Sequence, residues 1–420
     1  MRVPREYSVV CTEFFAGAQP LRVGLANSAY TRGSRQGMFL ERLLHMSKAH
    51  HSHGHRVVDW RDPRLERLIA SALDGAEILK VTALKSDAVD ATVTAKDTGY
   101  GAPLRIDVRQ DGMLKSVVLH SATPNPFGHE YRANRAEEML IAADTFDLVP
   151  RHTRVFDVGA FRGEDFVSLR DTGEFYLLTE FAEGVPYAHD LRQISEFGSL
   201  RPMDLERLDA LAHYLVATHS IKLPDATLYT RSIRDLVGSG EGIFGIIDGY
   251  PEHAEGTSRE QLEQIESLCL SWRGKLKRRY SRLVRIHGDF HPFNVLFDEH
   301  SELHLLDASR GSAGDAADDV CAMAVNYLFF ALDNPPSWQT AFQPLWRRFW
   351  ASYLEQSRDA GLLEVVAPFL AWRCLVLANP VWYPHVPAPA RMSLLNFVTS
   401  ALRARTFDPE SANSIFATSI

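Results

Sequence analysis

Positive charge is in short supply in this sequence. Its 45 Lys and Arg are outnumbered by 53 Asp and Glu, for a formal net charge of -8. Nucleic-acid backbones are gripped by clustered cations, so the balance argues against a general nucleic-acid partner while leaving a nucleotide ligand open. Cysteine is scarce as well. Cys11, Cys269, Cys321 and Cys374 are scattered with no CxxC pair, which argues against a disulfide framework and reads as reduced, buried thiols in a cytoplasmic protein. No apolar run reaches eighteen residues, and the N-terminus lacks a basic stretch followed by an apolar one. Neither a membrane span nor a secretory signal is expected.

What is present fits a globular chain: 45% hydrophobic and 23% charged residues over 420 positions. That length exceeds one compact core and suits two domains, or one bilobal unit with an extra arm. Residues 1–58 read as a disordered leader ending in the His-rich tract "HHSHGH", with Met46 an alternative start. Such a tract can bind metal, although no Cys or Asp cluster accompanies it.

From Asp62 the pattern becomes ordered. Leu65, Leu68, Ile69 and Leu73 share one helical face. Strand-like segments follow at 76–84, 90–97, 103–108 and 114–122, the last two flanking Asp111-Gly112, a strong hairpin signal. A helix is expected over 130–144, with further strands near 154–158 and 175–180. The second of these runs into a Gly- and Pro-containing linker, the expected boundary between an N-terminal lobe at 59–180 and a C-terminal lobe at 181–420. Beyond it helices dominate: 203–220, a segment opening with Thr257 and Glu260 in capping-box spacing, and two large segments between 338 and 405. No internal repeat is present. Strands first and helices second indicate an α+β chain with two lobes.

The chemistry concentrates in "IHGDFHPFNVLF", where Asp289 and Asn294 stand five apart in a polar turn. The strand "VLF" turns at Asp298 to Ser301, and "LHLLD" returns to Asp307. Three oxygen-bearing side chains thereby converge. Carboxylate and amide oxygens without soft ligands suit magnesium, which retains waters and substrate phosphates as its other ligands. Phosphoryl transfer needs such a metal and a separate aspartate to orient the attacking hydroxyl.

"HGDFHPFN" followed by "LLDASRG" and "GDAADDV" resembles the aminoglycoside phosphotransferase/choline kinase family, over roughly residues 62–405 and specifically only in this segment. The resemblance implies a bilobal, protein-kinase-like fold with a nucleotide-binding sheet lobe and a helical catalytic lobe. It further implies ATP and magnesium as cofactors, a small-molecule hydroxyl as substrate, Asp289 as base, Asn294 and Asp307 as metal ligands, and Arg310 near the phosphates. By the same resemblance Gly99 and Gly101 form a phosphate-covering turn, or an ordinary one. Thr179, Glu180 and Phe181 fall where the family's hinge meets adenine. His287 braces the loop, while Asp318 and Asp319 cap a helix and tie the loop down.

One position departs from the family. Where a strand lysine would hold the α/β phosphates, this chain has His120; Lys115, five residues earlier, faces the other way. The family's glutamate partner is matched by Glu137, with Glu138 as the alternative. A histidine can still hydrogen-bond a phosphate, and Arg310 can supply a cation. Otherwise the chain is a degenerate pseudokinase that binds nucleotide or acts as a scaffold. The glycines of 234–251 mark a lid or a connector, and "RGKLKRR" at 273–279 a solvated helix face. Across 361–405 Arg373, Arg391, Arg403 and Arg405 oppose the lone acid Glu364, favouring an apolar, neutral or anionic acceptor over a polycation.

Overall fold

The computed structural model describes residues 62–83, 103–125, 128–163, 165–175, 177–308 and 310–417. The leader, the expected strand at 90–97, Gly99 and Gly101 lie outside them. The chain divides into two units, Met1–Glu174 and Phe175–Ile420.

In the first unit, helix α1 (Pro63–Ala72) starts where the Asp62 carboxylate accepts the Arg64 N–H at 2.9 Å and Pro63 supplies a preset φ at N1. Its buried Leu65 and Ile69 pack on a three-stranded antiparallel sheet, β1 (Glu77–Ala83), β2 (Leu104–Gln110) and β3 (Met113–Leu119), whose inner face carries Ile78, Val81, Leu104, Ile106 and Val108. The expected hairpin forms at Asp111 and Gly112. Both have positive φ (49° and 77°), the combination an Asp-Gly turn supplies cheaply. Helix α2 (Arg132–Thr145) follows. The strand expected near 154–158 instead forms at β4 (Gly159–Arg162) and β5 (Asp165–Ser168), a hairpin centred on Gly163 (φ 66°) that lends Phe161 and Phe166 to the same core. The strand expected at 175–180 does not form: its described residues are exposed and pair with no other strand.

The second unit is mainly helical. Strand β6 (Val185–Pro186) leads into α3 (Tyr187–Phe197), then α4 (Pro202–His219), α5 (Ala226–Gly238), the short α6 (Ile243–Asp248) and α7 (Arg259–Leu276). The cap of α7 is Ser258, whose hydroxyl accepts the Gln261 N–H, and not Thr257, which donates to the Ala254 carbonyl instead. Either adjacent hydroxyl could cap, and the chain starts its helix one residue later. Four short strands then frame the site: β7 (Leu283–Arg285), β8 (Val295–Phe297), β9 (Leu303–Leu305) and β10 (Ala313–Asp315), with β8–β9 an antiparallel hairpin and β7 paired to β10.

Helix α8 (Ala316–Leu332) is buried at every position except Asp318 and Leu332, as a helix apolar all round must be. Its cap is Asp315, whose carboxylate accepts the Ala317 N–H and is clamped by Arg282 and Tyr229. Asp318 and Asp319 therefore do not cap; they sit in the first turn. After it come a π-helical turn (Trp338–Phe342) and three α-helices where two segments were expected: α9 (Gln343–Ser357), α10 (Ala367–Ala378) and α11 (Ala388–Arg403). Pro380, Pro384 and Pro387 keep α10 and α11 apart.

Candidate active site

The loop between β7 and β8 carries the "HGDFHPFN" residues, and its shape is fixed from behind. Asp319 is fully buried and accepts the His287 and Gly288 backbone N–H groups at 2.7 and 2.8 Å. His219 faces the same carboxylate at 3.2 Å and is itself held by the Tyr353 hydroxyl at 2.7 Å. Two consecutive amides pointing at one carboxylate force a tight bend, and Gly288 (φ 86°) absorbs it; a Cβ there would meet the Gly311 carbonyl oxygen at 2.7 Å. His287 braces the bend, its Nδ1 accepting the Asp289 N–H at 3.2 Å, while Phe290 stacks on Tyr214.

Asp289 is thus presented by a rigid turn. Its Oδ1 accepts from Arg373 Nη1 at 2.7 Å and lies 3.8 Å from Arg310 Nε. Its Oδ2 has only longer neighbours, His291 Nε2 at 3.4 Å and Asn294 Nδ2 at 3.5 Å. Burial opposes ionisation of this carboxyl, but the His291 ring and the guanidiniums of Arg373 and Arg310 outweigh it and hold the group well below the usual carboxylate range.

Asn294 donates its Nδ2 to the Asp289 carbonyl at 3.1 Å, so the amide nitrogen is spent inside the loop and the amide oxygen is turned away from it. The β8–β9 hairpin then brings back the second acid. The Leu306 N–H donates to the Asn294 carbonyl at 2.9 Å, and Asp307 follows directly, exposed, in the left-handed region (φ 47°). Asp289 and Asn294 are thus neighbours on the loop, and the hairpin returns the chain to Asn294 through Leu306, one residue before Asp307. Asp307 edges a cleft of about 430 Å³ that Tyr214, Thr218, His287 and Ser312 also line. Among the described residues no three His, Cys, Asp or Glu side chains gather closely enough to hold a metal ion.

Several participants have no local sequence signal. Arg373 lies 84 positions from Asp289 and is one of the four arginines of 361–405; only the folded chain puts it here. Trp372 packs against both guanidiniums, 4.0 Å from Arg373 and 4.7 Å from Arg310, and donates its indole N–H to the Glu241 carbonyl at 2.7 Å. The Glu241 carboxylate reaches Arg310 at 3.5 Å. The glycine-rich stretch expected to be a lid or connector therefore abuts the site through Glu241. Arg391 is used elsewhere, on the Tyr383 and Pro384 carbonyls.

The remaining candidates are divided between the two units. His120 is exposed just past β3, and Glu137 is exposed on α2; among the described residues no ion pair joins them. Glu138 instead lies 3.3 Å from His129. Thr179, Glu180 and Phe181, in the second unit, are exposed and outside regular structure, Phe181 by 85%.

The model of the phosphotransferase enzyme family matches residues 165–361, just under half the chain and the whole of the loop and hairpin above. No curated protein matches. Among solved structures the chain is similar to a glucosamine kinase (13% identity, 72% of this chain, 91% of that one, TM-score 0.38), a Plasmodium vivax ethanolamine kinase (13%, 76% and 79%, 0.31) and a Streptococcus pneumoniae choline kinase (13%, 84% and 94%, 0.27). Likenesses at such scores carry no argument about this chain. The family match spans the residues from Asp289 to Asp307: residues 165–361 of this chain are similar to the phosphotransferase enzyme family.

Proposed function

We propose that this protein transfers the γ-phosphate of ATP to a hydroxyl group of a small molecule, with Asp289 as the base. The observation that carries the reading is an ionised, half-shielded carboxylate on a loop braced by Asp319, one hairpin away from a second acid. In the transfer the acceptor O–H gives its proton to Asp289 Oδ2 as the oxygen–phosphorus bond forms, and ADP departs with the electrons of the broken bond. A carboxylate held so far down is a weak base. Its part is to orient the hydroxyl and take the proton late, which suits a loose transition state in which the nucleophile needs little activation.

Asn294 and Asp307 would hold magnesium. The donor set fits: two oxygens, one amide and one carboxylate, leave room for the waters and phosphates that the ion prefers, and the Asn294 amide is oriented through its nitrogen with its oxygen outward. The ion, when bound, neutralises charge on the β and γ oxygens. Arg310 is the cation of the loop region suited to the phosphates, since it is partly exposed and only loosely paired. By resemblance to the family, Thr179, Glu180 and Phe181 are proposed to meet the nucleotide on the second unit; Gly99, Gly101, His120 and Glu137, the candidates of the first unit, precede the matched residues 165–361, and His120 stands where the family has a lysine. Two arginines beside Asp289 speak for a neutral or anionic acceptor over a polycation. Free Cys269, Cys321 and Cys374 support a cytoplasmic setting, and among the described residues no helix is long and apolar enough to cross a membrane.

A second reading, a nucleotide-binding or scaffolding pseudokinase, draws on the unpaired placement of His120 and Glu137. Thermal unfolding with ATP separates the two. A rise in midpoint that requires magnesium supports the kinase. A rise without magnesium, together with no phosphorylated product, supports the pseudokinase and overturns the assignment of Asn294 and Asp307.

A further inference from the structure

Arg373 is only 8% exposed, yet it forks between two carboxylates: Nη1 to Asp289 Oδ1 at 2.7 Å and Nη2 to Asp318 Oδ1 at 2.9 Å. Nη2 also reaches the Gly288 carbonyl at 3.3 Å, and the guanidinium lies 4.0 Å from the centre of the Trp372 ring. Its Nε alone lacks a partner. A planar fork with both arms engaged and a face packed on an indole has very little freedom. Asp318 anchors the second arm from the first turn of α8, the same turn from which Asp319 holds the loop backbone.

The consequence falls on Asp289. With Oδ1 bonded to Arg373 and also nearest to Arg310, Oδ2 is the oxygen left with only contacts of 3.4 Å and beyond. A carboxylate without this clamp rotates about its Cβ–Cγ bond and presents either oxygen. We infer that Arg373, braced by Asp318, is a positioning residue: it occupies Oδ1 of Asp289 and so selects Oδ2 as the atom that faces the acceptor hydroxyl. This rests on Asp289 being the base. On that footing the two consecutive acids of α8 divide the work, Asp319 fixing the loop's backbone and Asp318, through Arg373, fixing the reactive side chain. The interaction is addressed to the reacting group and not to ATP, so its loss shows in turnover and not in nucleotide affinity.

The test follows turnover of ATP, with water as acceptor, in the full-length protein. Arg373→Ala is expected to lower kcat about 100-fold, the scale on which misplacing a catalytic group acts, with KM for ATP within about twofold of the parent. Millimolar guanidinium, filling the vacated space, is expected to restore part of the lost kcat. A kcat within twofold of the parent overturns the inference; so does a loss that appears in KM and is not rescued. If Arg373→Ala does not fold, Asp318→Asn decides. It keeps shape and hydrogen-bond acceptor but drops the charge that anchors the fork, and it must lower kcat at unchanged KM; an unchanged kcat overturns the proposal. Asp289→Asn runs alongside. If that variant turns over ATP like the parent, the base assignment itself has failed, whereas an inactive Asp289→Asn beside a fully active Arg373→Ala refutes only the role of Arg373.

Discussion

Replacing Asp319 by alanine strikes the catalytic loop without touching the reacting side chain. Asp319 accepts two buried backbone N–H groups, from His287 and Gly288, and faces His219. Each amide stranded in a dry interior costs about 1–3 kcal/mol, so the pair costs roughly 2–6 kcal/mol. At roughly 2–4 °C per kcal/mol for a unit of this size, the unfolding midpoint falls by at least about 4 °C. Asp319→Asn retains one acceptor oxygen and is expected to lose about half as much. Circular dichroism followed through a thermal scan measures both. A midpoint within about 1 °C of the parent for Asp319→Ala would refute the reasoning, since it would mean that the loop finds other acceptors at no cost.

Two further outcomes follow from the same loop. Gly288→Ala places a Cβ at a φ of 86° and 2.7 Å from the Gly311 carbonyl oxygen, so a loss of at least about 1–2 kcal/mol in chemical denaturation is expected; unchanged stability would contradict the geometry. Asp318 is pushed up to about 6 by burial, with the neighbouring Asp319 charge adding and the Arg373 guanidinium opposing. Its folded value lies above that of an ordinary aspartate, so the native state binds the extra proton and stability falls as pH rises from about 4 to 6. The difference in midpoint between the parent and Asp318→Asn is expected to change across that window, and a flat difference would refute the assignment.

Much of this was legible in the sequence because it is local. Asp-Gly at 111–112 specifies its turn whatever surrounds it. Asp289, Asn294 and Asp307 lie within one loop and one hairpin, so the spacing alone pairs Asp289 with Asn294 and returns the chain beside Asn294 one residue before Asp307. The α+β order of strands before helices also holds. What could not be read is what depends on distant packing. The strands expected at 154–158 and 175–180 had suitable composition, but a strand exists only where it pairs, and the pairing settled on the hairpin around Gly163. Asp315, Asp318 and Asp319 share one short acidic run, yet one caps, one holds an arginine and one holds the loop; only the direction of α8 separates these roles. Arg373 comes from α10, a helix with no motif, and its place beside Asp289 is set by how α10 packs on α8.

The central claim is phosphoryl transfer at Asp289, and the most direct measurement follows the label from γ-phosphate-labelled ATP into a pool of small-molecule alcohols in the presence of magnesium. Transfer by the parent protein, and its loss by about a thousandfold or more in a folded Asp289→Asn, is the predicted result, in line with the contribution of a positioned acid-base group together with the orientation it provides. Label transfer that survives Asp289→Asn undiminished would contradict the account.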